Sequence, residues 1–157
     1  MRRARAASYW GQRGNELIEF ALVLPLLVLM LLGAIEFGRA FYTYNILTKS
    51  VRNAARYLSD SQVSLSGAIA PGYVAKAQNL AVYGNVTGGT GTRIIPDLQT
   101  SHINVEGTAT PGTSPGQFYV TVSATYPYSP LFGIPLTSVV TFRPKVTMLF
   151  VGVINGT

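Results

Sequence analysis

The hydrophobic pattern begins with a long uncharged run near the N-terminus. Residues 20–35 contain no charged side chain, and as a helix they rise about 24 Å. With the flanking residues from 17 to 38 the span reaches about 33 Å, enough to cross the hydrocarbon core of a bilayer. A buried helix of a soluble core is the alternative, but the rest of the chain is too small to cover this helix on every side. The run therefore predicts a single transmembrane helix.

A helical pattern continues beyond the uncharged run. Apolar residues recur at a/d heptad spacing and form one stripe, made up of Phe37, Ala40, Tyr44, Leu47, Val51, Ala54 and Leu58. No proline or glycine interrupts residues 39–58, so we predict one helix from about Asn15 to about Ser59, near 68 Å long. The apolar stripe must be buried against other residues, and we expect the C-terminal part of the chain to pack on it.

After Ser59 the pattern changes to short alternating segments rich in glycine, serine, threonine and proline. Residues 71–83 predict a helix and residues 84–92 a loop. Strands are predicted at 102–109, 117–126, 137–142 and 145–151. The predicted fold is α+β, with the long helix packed on a small antiparallel β-sheet head. The predicted segments are 1–14, a basic leader; 15–59, the transmembrane and amphipathic helix; and 60–157, the head.

Charge and composition narrow the function. Only 11% of residues are charged, which is low for a soluble domain. The net charge is +6, but residues 1–14 hold four arginines and no acid, and without them eight basic residues face six acidic ones. A basic tail before an apolar run is a positive-inside signal for membrane orientation, carried here by Arg2, Arg3, Arg5 and Arg13. A nucleic-acid binder would need its charge on a folded face, so we expect no nucleic-acid partner. There is no cysteine for a disulfide or thiolate metal site.

The segment RGNELIEF places Gly14 at the end of the basic tail and Glu19-Phe20 at the start of the apolar helix. It resembles the class III signal of type IV prepilins, which implies cleavage by a prepilin peptidase between Gly14 and Asn15. Glu19 would then be the fifth mature residue and Phe20 the sixth. The new α-amine at Asn15 and the Glu19 carboxylate lie one helical turn apart. The resemblance implies that Glu19 meets the N-terminal amine of a neighbouring subunit; a glutamate that only extends to the interface is the alternative.

The stretches GNELIEFALVLPLLVLMLLGAIEFGRAFY and NILTKSVRNAARYLS resemble the TadE-like group of the tight-adherence pilus machinery. This resemblance implies a non-enzymatic minor pseudopilin, anchored in the inner membrane with its N-terminus cytoplasmic and its head periplasmic or extracellular. Implied partners are the prepilin peptidase, other pilins, the inner-membrane pilus platform and membrane lipid, with no cofactor or metal. A major filament pilin is the alternative within this class. Glu16 departs from the family pattern, and the head carries no matched motif.

Two further alternatives remain open. The sequence Gly38-Arg39-Ala40 could be cut by signal peptidase, which would release a soluble domain beginning at Phe41. The head could instead be a surface-binding, adhesin-like module that exposes an aromatic patch, consisting of Tyr119, Tyr126, Tyr128 and Phe132.

Catalysis has little support in the sequence. The single histidine, His102, opens a predicted strand near Asp97 and Glu106, and we expect it to be a solvated surface residue. The chain has no nucleophile elbow, zinc-protease motif or phosphate loop.

Overall fold

The computed structural model describes residues 10–64, 67–89, 92–106, 110–111, 117–131 and 140–155. The first helix, α1, runs from Trp10 to Ser59 and contains Pro25 without interruption. The chain divides into two units, Met1–Arg39 and Ala40–Thr157.

The first unit consists, in its described part, of the N-terminal portion of α1. Its large apolar side chains are exposed almost throughout residues 17–35, on all sides of the helix. Among the described residues this is the one helix long and apolar enough to cross a membrane. A helix that is apolar on every face and uncovered by protein is suited to lipid, because hydrocarbon replaces the missing protein core.

The second unit contains the rest of α1 and the head. The head strands are β1 (Gln62–Ser64), β2 (Ile103–Val105), β3 (Thr110–Pro111), β4 (Phe118–Ala124), β5 (Tyr126–Tyr128), β6 (Val140–Phe142), β7 (Lys145–Leu149) and β8 (Val153–Asn155). A second helix, α2, spans Pro71–Tyr83. The long N-terminal helix and the small antiparallel sheets confirm the predicted α+β class.

The apolar stripe of α1 is confirmed over its C-terminal half. Leu47, Val51, Ala54 and Leu58 are fully buried. The stripe is incomplete toward the N-terminus, because Tyr44 is 41% exposed. Its first member, Phe37, belongs to the first unit and is exposed. The head therefore covers the stripe from Leu47 onward.

Helix α2 has the predicted bounds, and its ends show why. Pro71 occupies the first turn, where its missing N–H needs no partner. Gly84 ends the helix in the left-handed conformation, with φ of 72°, and donates its N–H to the Leu80 carbonyl at 3.0 Å. Across the helix pair, the buried Ser50 hydroxyl donates a hydrogen bond to the carbonyl of Ala81. This bond fixes α2 against α1 within the second unit.

Strand β4 lies at the centre of the main sheet. β2 and β3 pair with one edge of β4 and β7 with the other, all antiparallel. The predicted alternation in β4 is confirmed, since Val120, Val122 and Ala124 are buried in the core. β5 and β6 form a separate antiparallel pair. Thr121, on the opposite face of β4, is also buried at 5% exposure, so β4 is largely covered on both faces.

Three local features differ from the sequence prediction. Helix α1 begins at Trp10 and not near Asn15. The segment predicted as a strand from 102 begins with a 3₁₀ turn, Thr100–His102, before β2; residues 107–109 lie outside the described part. A parallel pair of β1 and β8 was not predicted at all. Both strands have three residues, too few for an alternating pattern to be recognised.

Candidate processing and assembly site

The predicted processing residues lie at the start of α1. Gly14 and Asn15 are exposed and helical, and a methyl group added at Gly14 would meet no atom within 4 Å. Arg2, Arg3 and Arg5 lie outside the described residues. The backbone of Arg13 is part of α1, but its side chain is outside the described part. The peptide bond between residues 14 and 15 therefore stands on an open helix surface.

Glu19 and Phe20 lie on one exposed face of α1 together with Glu16 and Val23. These four side chains line a shallow, open hollow on that face. Their spacings of three, four and seven residues place them on the same side of the helix. The structure thus brings Glu16 and Glu19 together on one surface. In the sequence, Glu16 stands out only as a departure from the family pattern. Its i,i+3 spacing to Glu19 nevertheless indicates that the two carboxylates share one face of the helix.

The hollow has two carboxylates and no matching cation in the described part of α1. No described lysine or arginine lies within salt-bridge distance of Glu16 or Glu19. An ionised carboxylate next to an apolar zone needs a positive partner or access to water. Both carboxylates lie on an exposed face of α1, where water or a positive group can reach them.

The other end of the apolar segment carries an ion pair of its own. Arg39 Nη2 lies 3.0 Å from Glu36 Oε1, one helical turn away. The Glu36 side chain is 15% exposed and that of Arg39 is 39% exposed. The i,i+3 pairing offsets both charges within the helix. Glu36 and Glu19 flank the same apolar run. Glu36 has a cation close by, whereas Glu19 has none among the described side chains of α1.

The head residues considered for catalysis have structural contacts. His102 Nδ1 accepts the backbone N–H of Gln99 at 3.2 Å, and its ring lies edge-on to Tyr126 with centroids 6.1 Å apart. His102 is half-buried rather than fully solvated, which corrects the expectation of a solvated surface residue. Glu106 faces Lys145, with Oε1 3.4 Å from Nζ. The histidine therefore closes the 3₁₀ turn that leads into β2.

The tyrosines considered as an adhesive patch are divided by the structure. Tyr126 and Tyr128 are core residues, 7% and 4% exposed. The Tyr126 hydroxyl donates to the Pro96 carbonyl at 3.0 Å. Tyr119 is half-buried, and Phe132 lies outside the described residues. Two members of the predicted patch thus belong to the interior of the head.

Comparison with known proteins finds one similarity, and it lies in α1. Residues 14–56 match the family model described as TadE-like protein. The match begins at Gly14, covers the apolar run and ends within the buried stripe of α1, so the resemblance expected from the sequence is confirmed for this segment. No curated protein and no solved structure matches the chain.

Proposed function

We propose that this protein is a minor pseudopilin of a tight-adherence type IV pilus system, with a structural role in pilus biogenesis and through it in adhesion or secretion. The observation that carries the proposal is the TadE-like match over residues 14–56, which coincides with an uncovered apolar helix. In such a role the anchor keeps the subunit in the inner membrane until assembly. The head then supplies the surface that contacts sister subunits. The role is one of assembly and not of catalysis.

Processing is the first step of the proposed role. A prepilin peptidase cuts between Gly14 and Asn15 and leaves Glu19 and Phe20 as the fifth and sixth mature residues. The family match starts at Gly14, which supports a functional boundary at that position. The arginines of the leader keep the N-terminus in the cytoplasm, so the head lies in the periplasm or outside the cell. The leader, the anchor helix and the head are the three proposed segments.

Assembly depends on Glu19 in this proposal. Its carboxylate is exposed on the helix and has no described cation nearby, whereas Glu36 is paired with Arg39. The new α-amine of Asn15 on a neighbouring subunit supplies the missing positive charge. In an apolar environment breaking such a pair is costly, because it leaves a lone charge there. Partners are other pilins and the platform in the membrane.

The decisive experiment is N-terminal sequencing of the protein extracted from membranes. We expect Asn15 as the first residue. Replacing Gly14 by leucine should block the cut and leave the leader attached. Gly33→Leu is the matched control, because an added methyl at Gly33 also meets no atom within 4 Å.

A mature chain beginning at Phe41 would overturn the proposal. That cut would fall one residue after the division between the two structural units and would release the head as a soluble unit. Retention of the leader in the wild-type protein would also contradict the proposed processing.

The minor role is tested by abundance. In filaments sheared from the cell surface, a minor subunit is present in a small fraction relative to the major pilin. If this chain forms the bulk of the sheared protein, it is the major subunit and the minor role is wrong. Loss of filaments after deletion, with other pilins still made, would support the biogenesis role.

A further inference from the structure

The second unit contains a cleft between the end of α1 and helix α2, here called the head cleft. Asn53, Arg56, Tyr57, Asp60 and Ser61 line it from α1 and the residues after it, and Tyr73 lines it from α2. Its volume is about 410 Å³. Sites for small molecules typically have about 300–1,000 Å³ and combine aromatic side chains with a few polar groups. The head cleft has both the size and this mixed lining.

The aromatic part of the head cleft is a pair of tyrosines from the two helices. The rings of Tyr57 and Tyr73 have centroids 6.3 Å apart and are inclined by 43°. The Lys76 ammonium lies 5.7 Å from the centre of the Tyr73 ring. A tyrosine offers an apolar ring and a hydroxyl that donates and accepts hydrogen bonds. The pair therefore suits a ligand that has both C–H surface and hydroxyl groups.

The charged part favours an anion. Arg56 is exposed, and no carboxylate in the described part of the chain lies within salt-bridge distance of it. Among the residues that line the cleft, Arg56 is the one cation and Asp60 the one acid, and the Lys76 ammonium lies next to the lining Tyr73. A guanidinium matches a carboxylate through two parallel hydrogen bonds. Asp60 can only accept hydrogen bonds when it is ionised, so it suits ligand hydroxyls.

We propose that the head cleft binds a hexuronate, that is, a sugar unit with a carboxylate. Arg56 binds the carboxylate, Asp60 and Asn53 bind ring hydroxyls, and the tyrosine pair contacts the C–H surface of the sugar. This assignment uses only residues that line the cleft in the second unit and does not depend on the pilus proposal. It gives the head a ligand class on a surface distinct from the buried tyrosines of β5.

The test is calorimetric titration of the full-length protein in detergent micelles with sodium glucuronate. Glucose and sodium acetate are titrated at the same ionic strength as comparison ligands. We expect glucuronate to bind about tenfold or more tightly than either, because each of them offers only half of the recognised groups. Arg56→Gln should weaken glucuronate binding by about tenfold, the loss typical of a charge-assisted hydrogen bond.

The matched control is Arg52→Gln. Arg52 is exposed on the same helix one turn earlier, and it is not among the residues that line the cleft. This variant should bind glucuronate like the wild type, and circular dichroism should show both variants folded. Four results would each overturn the proposal: no binding of glucuronate, equal binding of glucose, equal binding of acetate, or the same loss from Arg52→Gln as from Arg56→Gln. The measurement involves no pilus component, so its outcome is independent of the processing experiment.

Discussion

The backbone N–H of Gly152 donates a hydrogen bond to the carbonyl of Ser59 at 3.0 Å, which ties the C-terminal segment to the end of α1. The N–H of Val151 donates to the same oxygen at 2.8 Å. The last carbonyls of a helix lack partners within the helix, so this contact satisfies one of them. Immediately afterwards β8 pairs in parallel with β1. The end of the long helix is thus completed by residues from the far end of the chain.

Gly152 should not tolerate a side chain. A methyl group at this position would overlap the Ser61 carbonyl oxygen and approach the Phe150 ring. We expect Gly152→Ala to lower the free energy of unfolding by about 1–3 kcal/mol, the usual cost of overpacking. Chemical denaturation of the full-length protein in micelles, followed by circular dichroism, measures this. Gly72→Ala is the control: it has open space in α2 and should be neutral or stabilising by up to about 1 kcal/mol. Equal stability of the two variants would contradict the predicted overlap.

Tyr126→Phe tests the hydrogen bond that holds the segment before β2. The Tyr126 hydroxyl donates to the Pro96 carbonyl at 3.0 Å from a ring that is 7% exposed. Its removal should lower the free energy of unfolding by about 1 kcal/mol, the typical net value of such a bond. Tyr119→Phe is the matched control, since its hydroxyl has no partner among the described residues. If both variants lose equal stability, the bond contributes nothing specific.

The helices were predicted well because the residues that begin, end and bury a helix lie close together in the sequence. Pro71 and Gly84 mark the two ends of α2, and the stripe from Leu47 to Leu58 marks the covered face of α1. The contact between Ser59 and Gly152 had no such signal, because 93 positions separate the two residues along the chain. Residues so far apart in the sequence are brought together by tertiary packing. The sequence of a short strand does not indicate which segment it pairs with.

The two candidate sites also differ in how far the sequence predicts them. The positions of Glu19 and Phe20 follow from a contiguous motif, and the structure adds Glu16 by placing it on the same helix face. The head cleft has no contiguous motif. Arg56 and Tyr73 line the same cleft only because α2 packs on α1, through contacts such as that between Ser50 and Ala81. The sequence pattern alone therefore does not indicate that these two residues lie near each other.

Leu47 and Leu22 distinguish the two environments of α1. Leu47 is fully buried in the head, whereas Leu22 belongs to the first unit and is 76% exposed. We expect Leu47→Ala to lower the free energy of unfolding of the head by about 2–5 kcal/mol, through lost burial and the cavity left behind. Leu22→Ala should leave that value unchanged. Near-ultraviolet circular dichroism of the tyrosines, recorded during denaturation in micelles, reports on the head. A large loss from Leu22→Ala would show that the exposed run contributes to head stability.

Glu19→Gln tests the proposed assembly contact while keeping the shape of the side chain. Cleavage after Gly14 should continue, but incorporation into sheared filaments should fall by about tenfold or more, because the partner amine then lacks its counter-charge in an apolar setting. Glu16→Gln is the matched control, since it removes an equal charge from the same helix face. It should reduce incorporation little. Equal losses would mean that the face needs negative charge in general, and no loss from either variant would mean that Glu19 only extends to the interface.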